Sequence, residues 1–185
     1  MNAATELQPL AFSLVAESDG DIATRENLLD RAMGPGRKRK SSEKLRRGRK
    51  PSEGLALVAR GSNGSLAGTV RLWDVAAGDR AALLLGPLAV DPSLKGAGIG
   101  GALMRLAIEE ARRLGHKAIL LVGDAPYYAR FGFTAEKTGA LAMPGPYERH
   151  RFLALELEEG ALDGAQGVLR ATGRKATRHE VAAAA

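Results

Sequence analysis

The sequence predicts one domain with a mixed α/β fold, and three local patterns carry that prediction. Two strand-like segments, residues 55–60 and 66–73, flank a turn with Asn63-Gly64, a strong signal for an antiparallel hairpin. Residues 81–90 form an apolar run too continuous for a half-exposed strand, which indicates a central strand covered on both faces. Residues 98–114 then repeat apolar side chains with the period of a helix before another buried strand. Hairpins followed by a strand–helix–strand unit indicate a mixed sheet with helices.

The remaining elements follow from the same patterns, taken in chain order. The first strand is expected at Phe12–Ala16 and the first helix at Ile22–Met33, with Asp19 as its N-cap and Gly34 at its end. The inner side of that helix is expected to hold Leu28, Leu29 and Ala32. Later strands are expected at residues 118–123 and 152–157, with a short helix at 126–131 between them.

The C-terminal part of the chain lacks these patterns. Residues 1–159 make up the predicted domain, whereas residues 160–185 are rich in Gly, Ala and Arg and end in four alanines. Such a composition buries little apolar surface to offset the entropy lost on ordering the chain. Residues 160–185 are therefore predicted to be a mobile or loosely docked tail.

The composition excludes several kinds of chemistry. The chain contains no cysteine, which rules out disulfides, a cysteine nucleophile and thiolate metal sites. The three histidines (His116, His150 and His179) are scattered, so no metal site is expected. No apolar run approaches the roughly 18 residues of a membrane span. The apolar residues 10–16 have no basic residues before them, unlike a secretory signal, and a cytoplasmic protein without membrane contact is expected.

The net charge of +6 comes from one segment. Residues 37–50, the basic segment, hold nine Lys or Arg against one Glu, a net charge of +8, so the rest of the chain carries −2. The segment is either a solvated, flexible loop or the phosphate-gripping part of a non-enzymatic nucleic-acid-binding module. The segment contains no aromatic residue for base stacking, which argues against the second interpretation.

The segment most informative about function is 88–101, LAVDPSLKGAGIGG. A buried strand ends in it, an Asp91-Pro92 turn follows, and four glycines between positions 96 and 101 open the amphipathic helix. The free N–H groups and the dipole of a helix start favour a phosphate group there, and Lys95 adds a positive charge. Because glycines weaken a helix start, a turn that merely packs the helix against the sheet is disfavoured.

Three kinds of phosphate site compete for this segment. A Walker-type P-loop fails because no Gly-Lys-Ser/Thr follows at the required spacing. The pattern Gly96-x-Gly98-x-x-Gly101 matches the dinucleotide fingerprint, and Asp124 follows the next strand. However, five residues separate the strand from the first glycine, and too little chain follows to complete a dinucleotide-binding sheet. The third kind of site rests on a family resemblance.

Two motifs together carry that resemblance. Lys95-Gly-Ala-Gly98-Ile-Gly100 resembles the Arg/Gln-x-x-Gly-x-Gly/Ala signature of the GNAT superfamily of N-acetyltransferases. Residues 123–133 are similar to its second landmark, in which a tyrosine, here Tyr128, precedes a Gly-Phe pair by four residues. The order and separation of the motifs also match. The sequence departs from the family at Lys95, where Arg or Gln is usual and a fork of donors is lost, and at Asp124, where many members have Asn.

The resemblance implies a central mixed, mostly antiparallel sheet flanked by helices, with acetyl-CoA as co-substrate at its splayed central strands. The cofactor pyrophosphate would lie on the backbone of Lys95, Gly96, Ala97, Gly98, Ile99, Gly100 and Gly101. The pantetheine arm would meet Leu88, Ala89, Val90 and Asp124. The Val90 N–H would polarise the thioester carbonyl, a primary amine would attack directly, and Tyr128 would protonate the departing thiolate.

The resemblance leaves the general base and the acceptor open. Family members often carry a Glu on the central strand, but residues 81–90 contain no acidic residue. The candidates for the base are a water chain and four carboxylates, Asp74, Asp91, Asp124 and Glu148. The acceptor is a small molecule or a protein. Because the family's acceptor site borders the region of the basic segment, an anionic acceptor, such as an acidic peptide or a nucleic acid, is a third explanation of that segment. A monomer or a homodimer is expected.

Overall fold

In a computed structural model, which describes residues 11–177, helices flank a central sheet. The described strands are β1 (Phe12–Ala16), β2 (Ala56–Gly61), β3 (Leu66–Ala77), β4 (Arg80–Val90), β5 (Ala118–Val122), β6 (Leu141–Ala142), β7 (Phe152–Glu156), β8 (Gly167–Val168) and β9 (Arg170–Ala171). The described α-helices are α1 (Ile22–Met33), α2 (Glu43–Arg46), α3 (Ile99–Arg113) and α4 (Ala125–Ala129). The predicted mixed α/β class is confirmed. Within residues 11–177 no helix combines the length and the apolar composition needed to cross a membrane.

The main sheet is mostly antiparallel, and its one parallel pair of strands opens partway along. The strand order is β1-β2-β3-β4-β5-β7, and β9 pairs with β3. Only β4 and β5, which α3 connects, run parallel among the described pairs of this sheet, and their register covers Leu83–Ile119 and Leu84–Leu120. Strand β4 continues to Val90 beyond this pairing. The C-terminal half of β4 therefore diverges from β5, as the splayed strands of the resemblance imply.

A bulge turns β4 where it leaves β5. Val70 of β3 lies opposite Leu88, whereas Leu72 lies opposite Leu85, so β4 carries one extra residue between these pairs. The extra length falls at Gly86-Pro87, whose peptide bond is cis. The Trp73 indole N–H donates to the Gly86 carbonyl at 2.6 Å and anchors the bulge to β3.

The two faces of the sheet pack against different partners. Helix α3 covers one face, where its buried residues Ile99, Leu103, Met104, Ala107 and Ala111 join the apolar side chains of β2, β3, β4 and β5. The amphipathic pattern of the sequence predicted this contact. The other face packs against a second core. This core includes Leu45 of α2, Trp73 of β3, Phe152 of β7 and Leu169 of the C-terminal segment.

Helix α1 differs in detail from its prediction. Residues 19–21 form a 3₁₀ turn and Asp21 is the N-cap of α1, so Asp19 is not its cap. Leu28 and Leu29 are buried as expected, but Ala32 is exposed. The third buried residue of the helix is Arg25, at 2% exposure, because carboxylates inside the fold neutralise it.

The basic segment is not a flexible loop. It forms a 3₁₀ turn at Pro35–Arg39 and the short helix α2, with Leu45 in the second core. Arg37 and Arg46 are buried, and Arg49 donates to the Gly173 carbonyl at 2.8 Å. The interpretation as a solvated loop is wrong because these arginines find partners inside the fold.

The C-terminal residues that the structure describes are docked. Leu162, Ala165 and Leu169 are buried in the second core. Strand β9 pairs with β3, and β8 pairs in parallel with β6. The prediction of a mobile or loosely docked tail is therefore wrong for residues 160–177, because three buried apolar side chains and two strand pairings hold the segment. Residues 178–185, which the prediction also covered, lie outside the described part.

Candidate active site

The glycine-rich turn after β4 opens directly into α3. Asp91 starts the turn by accepting from the Ser93 N–H at 3.0 Å and the Ser93 hydroxyl at 2.7 Å. Gly98 has φ +78°, a left-handed conformation that disfavours other residues, and a Cβ there would meet no atom within 4 Å. The N–H groups from Gly98 to Gly101 precede the first full helical turn and have no acceptor within the helix.

Two of the seven backbone amides expected to hold pyrophosphate are already used. The Lys95 N–H donates to the Pro92 carbonyl at 3.4 Å, and the Ala97 N–H donates to the Leu94 carbonyl at 3.1 Å. The Ile99 side chain is buried in the core under α3, while its amide belongs to the open first turn. The free donors therefore concentrate at the start of the helix rather than along the whole turn.

The open half of β4 presents alternate backbone groups. The Asp91 N–H donates across to the Ala67 carbonyl of β3 at 2.8 Å. Because bonded and non-bonded pairs alternate along an antiparallel ladder, Ala89 forms a bonded pair with Thr69. By the same alternation, Leu88 and Val90 turn their N–H and C=O groups away from β3, toward the opening. The structure thus contradicts the assignment of Ala89 to the cofactor site, since β3 uses its backbone.

Two tyrosines of α4 reach different parts of this opening. Asp124 caps α4 by accepting from the Tyr127 N–H at 3.3 Å. A Cβ at Gly100 would lie 3.0 Å from the Tyr127 hydroxyl, so that hydroxyl sits over the first turn of α3. Tyr127 is a candidate binding residue that the sequence motifs did not indicate.

Tyr128 is held by a glycine and two aromatic rings. A Cβ at Gly123 would lie 2.2 Å from Cε2 of Tyr128, so only glycine allows the ring to lie there. The ring also makes edge contacts with Tyr127 and Phe133, at centroid distances of 4.9 and 6.0 Å. Burial raises the pKa of Tyr128 to about 12. Electrostatic interactions with Tyr127 and Asp124 also raise this pKa, whereas the charge of Arg151 lowers it. The phenol is therefore protonated at neutral pH.

On the other face of β4 lies a cleft of about 610 Å³. Its walls come from α1, the basic segment and the sheet, and they include Leu29, Arg46, Trp73 and the bulge residue Pro87. The cleft therefore reaches β4 next to the point where it splays from β5.

Ion pairs line part of this cleft. The side chain of Glu17 is 4% exposed and accepts hydrogen bonds from Arg25 and from Nε and Nη2 of Arg71. Glu26 accepts from Arg25 at 2.9 Å and also from Arg37. Burial raises the pKa of Glu26, but the hydrogen bonds from Arg37 and Arg25 outweigh it and hold the pKa below its ordinary value. The Glu26 carboxylate is therefore an anion, and both carboxylates already have donors in place.

The four carboxylates considered as the general base also have partners. Asp74 accepts from the Ser52 hydroxyl at 2.9 Å, and Glu148 lies 3.4 Å from both Arg151 and His150. Hydrogen bonds from Ser93 and Arg31 lower the pKa of Asp91, which makes it a weaker base. Asp124 caps α4 as described above. Within residues 11–177 no group of three or more His, Asp or Glu is arranged to hold a metal ion.

The nucleic-acid interpretation of the basic segment finds no support in this geometry. Arg37 bonds Glu26 and Asp30, Arg46 is buried, and Arg49 is bound to a backbone carbonyl. The exposed cations of the segment are Lys38, Arg39, Lys40, Lys44 and Arg47. Only part of the charge of the segment is therefore available to the phosphates that a nucleic-acid-binding protein grips.

Comparison with known proteins gives relatives of one kind. The 41% identical match to the uncharacterized N-acetyltransferase YjhQ of Escherichia coli spans 71 residues, 37% of this chain and 39% of that protein. The uncharacterized N-acetyltransferase YhbS of Escherichia coli is 30% identical over 117 residues, 62% of this chain and 70% of YhbS. The chain therefore spans well under two thirds of the length of YjhQ and somewhat more than two thirds of YhbS.

Solved structures agree with these relatives. The crystal structure of Escherichia coli YhbS in complex with CoA is similar to this chain with a TM-score of 0.72 at 26% identity, covering 88% of this chain and 90% of that one. A GNAT family acetyltransferase from Brucella melitensis, in complex with acetyl-CoA, gives a TM-score of 0.63 at 25% identity, covering 86% and 95%. The sequence model of the acetyltransferase (GNAT) family matches residues 9–133. The chain belongs to the GNAT family of acetyltransferases.

Proposed function

We propose that this protein transfers an acetyl group from acetyl-CoA to a primary amine of its acceptor. The observation that carries the proposal is the opening between β4 and β5, with a glycine-rich helix start on one side. On the other side lies the cleft beside α1, which we call the acceptor cleft. A bound thioester in this opening would be accessible to an amine from the cleft. The complexes of the Escherichia coli and Brucella melitensis relatives with CoA and acetyl-CoA support the choice of cofactor.

The α3 side of the opening supplies groups for each part of acetyl-CoA. The pyrophosphate would accept from the free amides of Gly98 to Gly101, and the helix dipole and Lys95 would favour its charge. The outward N–H and C=O groups of Leu88 and Val90 would pair with the amides of the pantetheine arm, as in a strand addition. Asp124 and the Tyr127 hydroxyl border the same space.

The reaction then needs one bond formed, one broken and two proton transfers. The amine nitrogen attacks the thioester carbonyl, and the Val90 N–H stabilises the oxygen that becomes negative. The C–N bond forms, the C–S bond breaks, and Tyr128 gives its proton to the CoA thiolate. Water removes the proton of the attacking amine, because the buried carboxylates of the cleft are bound by arginines.

Ligand binding tests the cofactor assignment. Thermal unfolding is measured with acetyl-CoA, CoA and NAD(H), and a ligand at about 100 times its Kd should stabilise the protein by roughly 2.7 kcal/mol. Acetyl-CoA and CoA should raise Tm, and NAD(H) should not. A shift with NAD(H) alone would contradict the proposal. The cytoplasmic location and the monomeric or dimeric state stay predictions.

A further inference from the structure

Arg46 is a buried cation of the acceptor cleft without a full set of acceptors. Its side chain is 9% exposed, and Nη2 donates to the Ser42 hydroxyl at 3.1 Å and lies 3.3 Å from the Glu43 carboxylate. Its Nε has neither an acceptor nor contact with solvent. A buried charged donor without an acceptor is unfavourable. The other arginines buried on this face, Arg25 and Arg37, each bind two carboxylates at closer range.

Arg46 lies against the bulge of β4. A Cβ at Gly86 would lie 3.5 Å from Nη1 of Arg46, so the guanidinium faces the backbone of the bulge. Gly86 precedes Leu88 by two residues, about 7 Å along a strand. Under the proposed function, Leu88 contacts the pantetheine arm. The thioester lies at Val90 in the same proposal, about 13 Å along the strand from Gly86, so the guanidinium sits within reach of a small acceptor whose amine meets the thioester.

Two further cations extend this positive charge toward Tyr128. Loss of solvent lowers the pKa of Lys40, and the charges of Arg151 and Arg46 lower it further. Arg151 donates to the Gly123 carbonyl at 3.2 Å, beside the Tyr128 ring, and its charge acts on Tyr128. The nearby carboxylates Glu43 and Glu148 lie 3.3 and 3.4 Å from their arginines. Asp124 also acts on Tyr128, so three carboxylates stand beside these three cations, and Arg46 is the cation among them that is buried and lacks a full set of acceptors.

We propose that this region binds an anionic group of the acceptor, with Arg46 as its direct contact and Lys40 and Arg151 as supporting charges. The acceptor is then a small amine that also carries a carboxylate or a phosphate. The inference rests on the proposed acetyl transfer and specifies its substrate class. The anionic group takes no part in the bonds that form and break; it orients the amine by pairing with the guanidinium of Arg46, which lines the cleft.

Matched pairs of amines test this inference through release of the CoA thiol. Glycine, β-alanine and γ-aminobutyrate are each compared with the corresponding amide, and O-phosphoethanolamine is compared with ethanolamine. The anionic member of at least one pair should have a kcat/KM roughly 10- to 100-fold higher, as expected for a hydrogen-bonded ion pair. The length of the best carboxylate measures the distance from the amine to Arg46, and the phosphate pair distinguishes the two anions.

Variants of Arg46 separate binding of the anion from a structural role. Arg46→Gln should lower kcat/KM for the preferred anionic amine roughly 10- to 100-fold while its neutral partner loses little. Arg46→Lys keeps the charge and should retain part of the preference. Arg39→Gln removes an exposed charge of the same segment and should leave the preference unchanged. Should Arg46→Gln fail to fold, the inference is tested by the ratio of kcat/KM for the anionic amine to kcat/KM for its neutral partner, measured for the wild type and for Arg46→Lys.

Three results would overturn the inference while leaving acetyl-CoA binding intact. They are equal rates for the anionic and neutral members of every pair, an equal loss for both members in Arg46→Gln, and no acetylation of any anionic amine. Titration with CoA is measured on the same protein samples. Failure of that titration would instead contradict the proposed function itself.

Discussion

Strand β4 separates two regions that differ in what lines them. On the α3 side, the opening is lined by backbone groups, glycines and the two tyrosines of α4, with open space around Gly98. On the cleft side, the walls are charged side chains joined in ion pairs, such as Glu17 with Arg25 and Arg71. The first arrangement suits a cofactor such as the CoA and acetyl-CoA bound by the Escherichia coli and Brucella melitensis relatives, because backbone amides can hold a pyrophosphate whatever the side chains are. The second depends on individual side chains and suits recognition of a particular acceptor.

If the α3 side binds the cofactor and the cleft side binds the acceptor, a change on the α3 side should lower the rate by the same factor with every acceptor. Tyr128→Phe removes one hydroxyl and keeps the ring against Gly123 and Phe133. The rate should fall by roughly 10²–10⁴-fold with all amines, while CoA affinity stays the same. Because the pKa of Tyr128 is about 12, its loss of a proton should not limit kcat in the neutral and mildly alkaline range.

Tyr127→Phe is the matched control for that experiment. Its hydroxyl lies over the first turn of α3 rather than beside Gly123, so it should change CoA affinity more than kcat. A wild-type kcat for Tyr128→Phe, measured where the chemical step limits the rate, would mean that water protonates the thiolate.

A second change on the same side tests the backbone site without touching the core. Gly98→Val places a branched side chain at φ +78° in the space where the pyrophosphate should lie. CoA binding should weaken by about 100-fold or more, since several charge-assisted hydrogen bonds would be lost. Ile99→Ala, one residue later, should instead destabilise the fold by about 2–5 kcal/mol, because Ile99 is 1% exposed. Calorimetric titration and thermal unfolding of both variants measure the contrast.

On the cleft side, the buried ion pairs should matter for stability rather than for the cofactor. Arg25→Met removes a guanidinium that is 2% exposed and leaves Glu17 and Glu26 with one arginine fewer. The free energy of unfolding should fall by about 3–5 kcal/mol, because buried carboxylates lose a neutralising partner. Denaturant unfolding measures this loss. A loss below 1 kcal/mol would mean that water already solvates this network.

Charge reversal within the basic segment gives a smaller effect that depends on position. Arg47→Glu changes an exposed residue and should alter stability by no more than about 0.5 kcal/mol. Arg46→Glu should be clearly more destabilising, since it places a carboxylate beside Glu43 at a buried position. Sequence alone predicts that reversing Arg46, Arg47 and Arg49 leaves Tm nearly unchanged, and burial of Arg46 contradicts that prediction. Equal Tm values for the two variants would mean that α2 is not held as the structure has it.

The sequence by itself determined the parts that depend on neighbouring residues. The hairpin at Asn63-Gly64, the amphipathic face of α3 and the glycine-rich turn are local patterns, and their periods and turn residues fix the elements. The turn and the helix start were therefore predictable from local patterns, whereas the assignment of Leu88, Ala89 and Val90 to the cofactor came from the family resemblance. The sequence did not indicate the roles of Gly123 and Tyr127. The close approach of a tyrosine ring to a glycine depends on how α4 packs against neighbouring elements.

The tertiary structure decided the rest, because it brings together charges that are far apart in the chain. Glu17 meets Arg71 across 54 residues, and nothing in the run of basic residues at 37–50 tells Arg46, which is buried, from Arg47, which is exposed. The same reason applies to residues 160–177, whose few apolar side chains become buried only because a core elsewhere in the chain has room for them. Whether a charged or apolar side chain is buried depends on its partners in space, and those partners are set by the packing of the sheet.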